Sequence, residues 1–227
     1  MEYPGHTSTL FDGELMSAYA SVTKMAATVA RQLNTAMGAL NDGNPAPLQQ
    51  VFDDGDLVDS MEVSLDEQCT EILVRRQPTA NDLRLVSAII KTINDLERIG
   101  DESENIARAV QLVAQKQPYQ LPCRSQINFV AQIAIGMLKA AMESFDAMDA
   151  ASARKVGHRD ALIDEEFNAI MRHLVAYMME ETSDLATTLQ IVFITRTLEN
   201  ISNHARNISE YVIYLVEGRE ARNYCTI

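Results

Sequence analysis

Four places along the chain set two side chains four residues apart in a way that invites chemistry: Glu62/Asp66, Glu97/Asp101, Asp160/Asp164 and the altered pair Glu199/Asn203. Residues at this spacing stand one above the other on a helix face, with roughly 6 Å between their Cβ atoms, so two carboxylates held there repel each other. In an acidic chain such pairs are usually a solvated face. Their neighbours argue for more. Val58, Leu65, Cys69 and Ile72 trace an apolar stripe with Glu62 inside it and Asp66 on its border, and the row Val86, Ile90, Ile93 runs directly onto Glu97 and Asp101. Carboxylates aimed at a packed face are costly unless something positive meets them. Arg98 and Arg108 are near in sequence, but two facing pairs would gather four carboxylates, beyond what one guanidinium neutralises.

A multivalent cation could do it. An oxygen-only ligand set suits magnesium, manganese, calcium or iron, and carboxylates from neighbouring helices are how bundle proteins hold more than one metal. Zinc is less favoured without well-placed Cys or His, although carboxylate zinc sites exist.

The elements that must carry these pairs are helices. Prolines fall only at Pro4, Pro45 and Pro47, Pro78, and Pro118 to Pro122; between them apolar residues recur at steps of three and four, as in Leu96, Ile99, Ile106, Val110, Val113. The spacing predicts an all-α chain with helices over 8–41, 47–76, 80–116, 123–149, 152–180 and 184–217. Asn81 or Thr79 is read as the cap of the third helix and Ser183 as the cap of the sixth. Six long helices with short connections imply two antiparallel three-helix bundles, over 8–117 and 122–218.

An internal repeat supports that division. Shifting residues 96–110 by 102 positions matches Leu96, Glu97, Ile99, Asn105, Ile106 and Val110 with Leu198, Glu199, Ile201, Asn207, Ile208 and Val212. Glu62, Asp66 and Glu67 fall on Asp160, Asp164 and Glu165 at a shift of 98, which places a length change in a loop.

Composition narrows the function. Of 227 residues 47% are hydrophobic, and 32 acidic against 19 basic residues leave a net charge of −13, which disfavours a nucleic-acid partner. No apolar run reaches the ~18 residues of a membrane span, and the first forty residues lack the zones of a signal peptide, so a cytoplasmic protein is expected. Cys69, Cys123 and Cys225 form no CxxC pair and read as free thiols. His6, His158, His173 and His204 show no ligand spacing; His204 is read as a surface or interhelical residue. Nucleotide-binding loops and nucleophile elbows are absent from the sequence. Arg75-Arg76 reads as a solvated loop end or a small docking patch. The eleven Met read mainly as core filler.

The run from Arg75 to Arg84 (Arg-Arg-Gln-Pro-Thr-Ala-Asn-Asp-Leu-Arg), followed by Asp95-Leu-Glu-Arg-Ile-Gly-Asp101 and Asn105-Ile106, closely resembles the signature of the PhoU family, bacterial regulators of phosphate uptake. The similarity extends over about 14–218, including Met61-Glu62 and Leu65 to Cys69. The resemblance implies two three-helix bundles related by pseudo-twofold symmetry, with E/D-xxx-D motifs able to bind multinuclear clusters of Mg, Mn, Fe or Zn. It also implies a non-enzymatic homodimeric adaptor that restrains phosphate-starvation signalling. Its partners would be the ATPase subunit of the phosphate-specific ABC transporter and a sensor histidine kinase, with membrane contact only through them. Carried onto this chain, the ligands are Glu62, Asp66, Glu97 and Asp101 in the first half and Asp160, Asp164 and Glu199 in the second. There Asn203 stands where the family has Asp, and Asn200 and Ser202 replace its Arg and Gly. A carboxylate-bridged metalloenzyme, and a regulator of another transporter, remain as alternatives at this point.

Overall fold

The computed structural model describes residues 9–78, 80–115, 121–180 and 185–218, and among them it is wholly helical. The helices are α1 (Thr9–Asp42), α2 (Leu48–Arg76), α3 (Ala80–Ala114), α4 (Arg124–Ala147), α5 (Ala150–Gly157), α6 (Asp160–Glu180) and α7 (Leu185–Glu217). Five of the six expected helices lie within two residues of their expected ends. The fifth differs: 152–180 is not one helix but two. Met148 turns into the left-handed region (φ 53°) and ends α4, and the Asp149 carboxylate then caps α5 by accepting from the Ala151 and Ser152 amides. Gly157, the weakest helix former in that stretch, ends α5, and two residues separate it from the start of α6. Asn81 is not a cap either; it lies inside α3, where its side-chain oxygen accepts from Arg84. Thr79, Ser183, His6 and Cys225 lie outside the described residues.

Helices α1, α2 and α3 pack on one another, and α5 and α6 both lie against α4 and α7, so the short helix and its successor together fill one helix position. The two groups meet along α3 against α7 and α1 against α4, and a continuous apolar core from Leu33 through Leu96 and Ile99 to Leu198 and Ile201 runs across the seam. At the α1/α4 contact Tyr19 stacks on Phe145 at 5.1 Å and donates its hydroxyl proton to the Phe145 carbonyl at 2.9 Å. No described helix is long and apolar enough to cross a membrane.

The α1/α2 contact places the first acidic element. Asp54 is buried and accepts two hydrogen bonds from the Arg31 guanidinium at 2.9 and 2.8 Å and one from Gln50, which hold its carboxyl below the usual carboxylate range. The next turns of α2 carry acids without such a partner. Arg76, at the other end of α2, is taken up by Glu14 of α1, and Arg75 by Glu71, so the basic pair is spent on local ion pairs.

Candidate metal centre

Where α2 crosses α3, three carboxylates converge. Asp59, Glu97 and Asp101 each offer an oxygen, and the three oxygens lie within 4.8 Å of one another. Two glycines lie at this crossing. A Cβ on Gly55 would meet the Glu104 carboxylate, and one on Gly100 would sit 3.3 Å from both Val58 and Gln32. These neighbours show an antiparallel register, 55 against 104 and 58 against 100, which brings Asp59 level with the Glu97/Asp101 pair.

The electrostatics show charge without compensation. Burial and the charges of Asp101 and Asp56 push the Asp59 carboxyl up. Glu97 is raised by burial and by Asp101 and Asp59, against a partial pull from Arg98 at 3.5 Å. Glu104 is raised by burial and by Asp101, Asp59 and Asp56, although Arg108 pairs with it. A hard cation, taken up by several oxygens at once, fits this donor set.

An acid whose pKa is raised by folding binds its proton more tightly in the native state. Its contribution is therefore fully present below the unfolded value (4.5 for Glu97 and Glu104, 3.8 for Asp59) and is lost as pH rises through the native one. Metal-free protein should melt at a higher temperature at mildly acidic pH than at neutral pH. Asp54 and Glu14, held low by their arginines, oppose this as pH falls below their unfolded values (3.8 and 4.5) and through their depressed native ones. With metal present the sign reverses, because the ligands must be deprotonated. Melting curves with and without chelator across this range check both signs; a metal-free curve that rises toward neutral pH would contradict the reading.

Glu97 and Asp101 thus come together as the spacing suggests, and their partner in the three-carboxylate group is Asp59. Glu62 is half-buried, Asp66 is exposed, and neither belongs to that group. Asp59 escapes a search for i, i+4 acids because Gly55 and Val63 stand on either side at that spacing. Gly55 is the signal that could have pointed to it, since glycine inside a helix often marks a close approach by a neighbour. Cys69 is buried, with its thiol pushed up to about 11, which makes it a packing residue.

The second half is different. Glu199 is engaged by Arg196 at 2.7 Å, and Arg196 lies over the Phe167 ring. Asp164 is exposed and Asn203 is half-buried. Asp160 opens α6, and its side chain lies outside the described residues. Among those residues no group of three acids, His or Cys forms here. Asn200 instead reaches across the seam to donate to Glu102 at 2.8 Å. His204 is interhelical: its Nδ1 lies 2.6 Å from Asp95, which also accepts from Asn207.

This repeated helical plan is matched by known proteins. The family model described as PhoU domain matches the chain twice, at 22–110 and at 127–212. The chain belongs to the PhoU family. A relative from a Burkholderia species, named a phosphate-specific transport system accessory protein PhoU homolog, is 38% identical over 220 residues, covering 96% of this chain and 93% of the relative. The PhoU of Escherichia coli (strain K12) is 35% identical over 218 residues, covering 96% of this chain and 90% of that one. The crystal structure of PhoU from Pseudomonas aeruginosa superposes with a TM-score of 0.89 at 38% identity, over 92% of this chain and all of that one. The Streptococcus pneumoniae PhoU structure, at 24% identity and a TM-score of 0.85, has the same fold. The all-helical PhoU architecture expected from the sequence is the one observed.

Proposed function

We propose that this chain is an accessory and regulatory protein of phosphate-specific transport. It acts as a cytoplasmic, metal-binding, non-enzymatic adaptor between the transporter's ATPase subunit and a sensor histidine kinase. The family membership over both halves carries the transport assignment, since the relatives are named for phosphate-specific transport. The convergence of Asp59, Glu97 and Asp101, with the carboxyls of Asp59 and Glu97 pushed up by burial and by their acidic neighbours, supports the metal-binding part. A bound cation would hold α2 against α3 by these three side chains and so fix the outer surface of the first half, the kind of rigid face an adaptor presents. Magnesium, manganese or iron suit the oxygen donors best.

The regulatory reading is tested in the source organism. Deleting the gene should raise output from a phosphate-starvation reporter in phosphate-rich medium, and the wild-type copy should restore repression. Unchanged output in a strain with no second copy would move this protein to another transporter.

A further inference from the structure

The end of α4, the helix α5 and Arg159 in the turn after it line a cleft of about 220 Å³. Ser144 of α4 and Val156 of α5 are its buried lining, and Ala140 and Ala147 add small residues on one face of α4. One turn earlier on that face is Gly136, where the Arg159 guanidinium lies 3.7 Å from the position a Cβ would take. Lys155 and Arg159 line the cleft four residues apart, and neither has an ion-pair partner among the described residues. The other cations near this turn are already used: Arg154 pairs with Glu217, and Lys139 lies 3.8 Å from Glu143.

The two carboxylates of the lining play different parts. Asp149 is occupied as the cap of α5, accepting the Ala151 and Ser152 amides at 2.9 and 3.2 Å. Glu143 stands exposed at the rim as a hydrogen-bond acceptor, and the Ser152 hydroxyl also lies in the lining. A chain of net charge −13 therefore presents two cations without an ion-pair contact in one concave place, Arg159 and a Lys155 that only helps to hold the Asp149 carboxyl low, together with a hydroxyl and apolar side chains. The cleft is larger than a bare tetrahedral oxyanion requires.

We propose that this cleft binds a soluble, hydroxylated phosphate monoester. Lys155 and Arg159 hold the phosphate, Ala140, Ala147 and Val156 take the carbon skeleton, and Glu143, 3.8 Å from Lys139 on its other side, accepts a hydrogen bond from a hydroxyl. Phosphate recognition by paired Arg and Lys uses charge-assisted hydrogen bonds, the strongest kind the protein can offer here. The site is separate from the acids of α2 and α3 and stands or falls independently of the metal centre.

Calorimetric titration of the full chain with ribose 5-phosphate, inorganic phosphate and free ribose tests it. Saturable binding of ribose 5-phosphate is expected, weaker binding of phosphate, and none of ribose. Lys155→Gln with Arg159→Gln should weaken the ester at least about tenfold, the scale of losing a charged hydrogen bond. Both side chains are exposed, so the melting temperature of this variant should match wild type. Glu143→Gln should narrow the preference for the ester over phosphate, whereas Glu97→Gln with Asp101→Asn should leave ester binding unchanged. No saturation by about 10 mM ester, or an unaltered affinity in the Lys155/Arg159 variant, would overturn the site. Equal affinity for phosphate and the ester would overturn the hydroxylated ligand.

Discussion

Glu97→Gln combined with Asp101→Asn is expected to abolish metal-dependent stabilisation while leaving the metal-free protein folded, with a melting temperature equal to or above wild type. The direction follows from the arrangement of Asp59, Glu97 and Asp101, whose oxygens lie within 4.8 Å of one another. In the metal-free protein burial raises Asp59 and Glu97 and the repulsion among these groups raises them further; amides of the same shape remove that repulsion, and the cost of burying a charge, without opening a cavity. In the presence of metal the same change removes two of the three charged ligands. Ligand binding to the native state alone contributes about 2.7 kcal/mol at a hundredfold excess over Kd, or roughly 5–11 °C for a domain of this size. That shift should be present in wild type and missing in the double variant. Asp59→Asn should reduce it as well, whereas Asp66→Asn, at an exposed position outside the group, should reduce it less. Calorimetric scans with manganese or magnesium and with chelator decide the matter; a variant that retains the full shift would place the metal elsewhere.

What the sequence made legible and what it hid follow from the range of the interactions involved. Helix spans are written in the apolar spacing and in Pro45, Pro47, Pro78 and the Pro118 to Pro122 segment, all local signals, and the carboxylate pair on α3 is local too. The identity of its partner on α2 depends on how two helices slide past each other. That register brings Gly55 against Glu104 and Gly100 against Val58, residues 49 and 42 positions apart. Asp59 and Glu62 are three residues apart, close enough that a small change of rotation or register exchanges them. The α5/α6 break has a local signal, Gly157 at the end of α5, but an isolated glycine inside a helical pattern is too common to be read as a stop. His204 shows the same limit: its partner Asp95 lies 109 positions away on the opposite half.

The two halves share a plan and should not share metal content. In the first half Arg98 lies 3.5 Å from Glu97 and leaves the cluster short of positive charge; in the second, Arg196 sits 2.7 Å from Glu199, so the one acid that aligns with Glu97 is already neutralised. The position of Asp101 is taken by Asn203, whose amide oxygen can coordinate a cation but brings no charge to offset it. The C-terminal half should therefore bind fewer or weaker metal ions than the N-terminal half, with Asp160, Asp164 and Glu199 as its remaining acids. Anomalous diffraction at a metal edge should show density at Asp59, Glu97 and Asp101 and less or none beside Glu199; equal occupancy would refute the asymmetry. Asn203→Asp alone restores the acid but leaves Glu199 held by Arg196. Its gain in metal stoichiometry should be partial, and Arg196→Gln added to it should raise the gain further, since Arg196 is exposed and its removal frees a carboxylate without emptying the core. If the double variant binds no more metal than wild type, the missing charge is not what separates the halves.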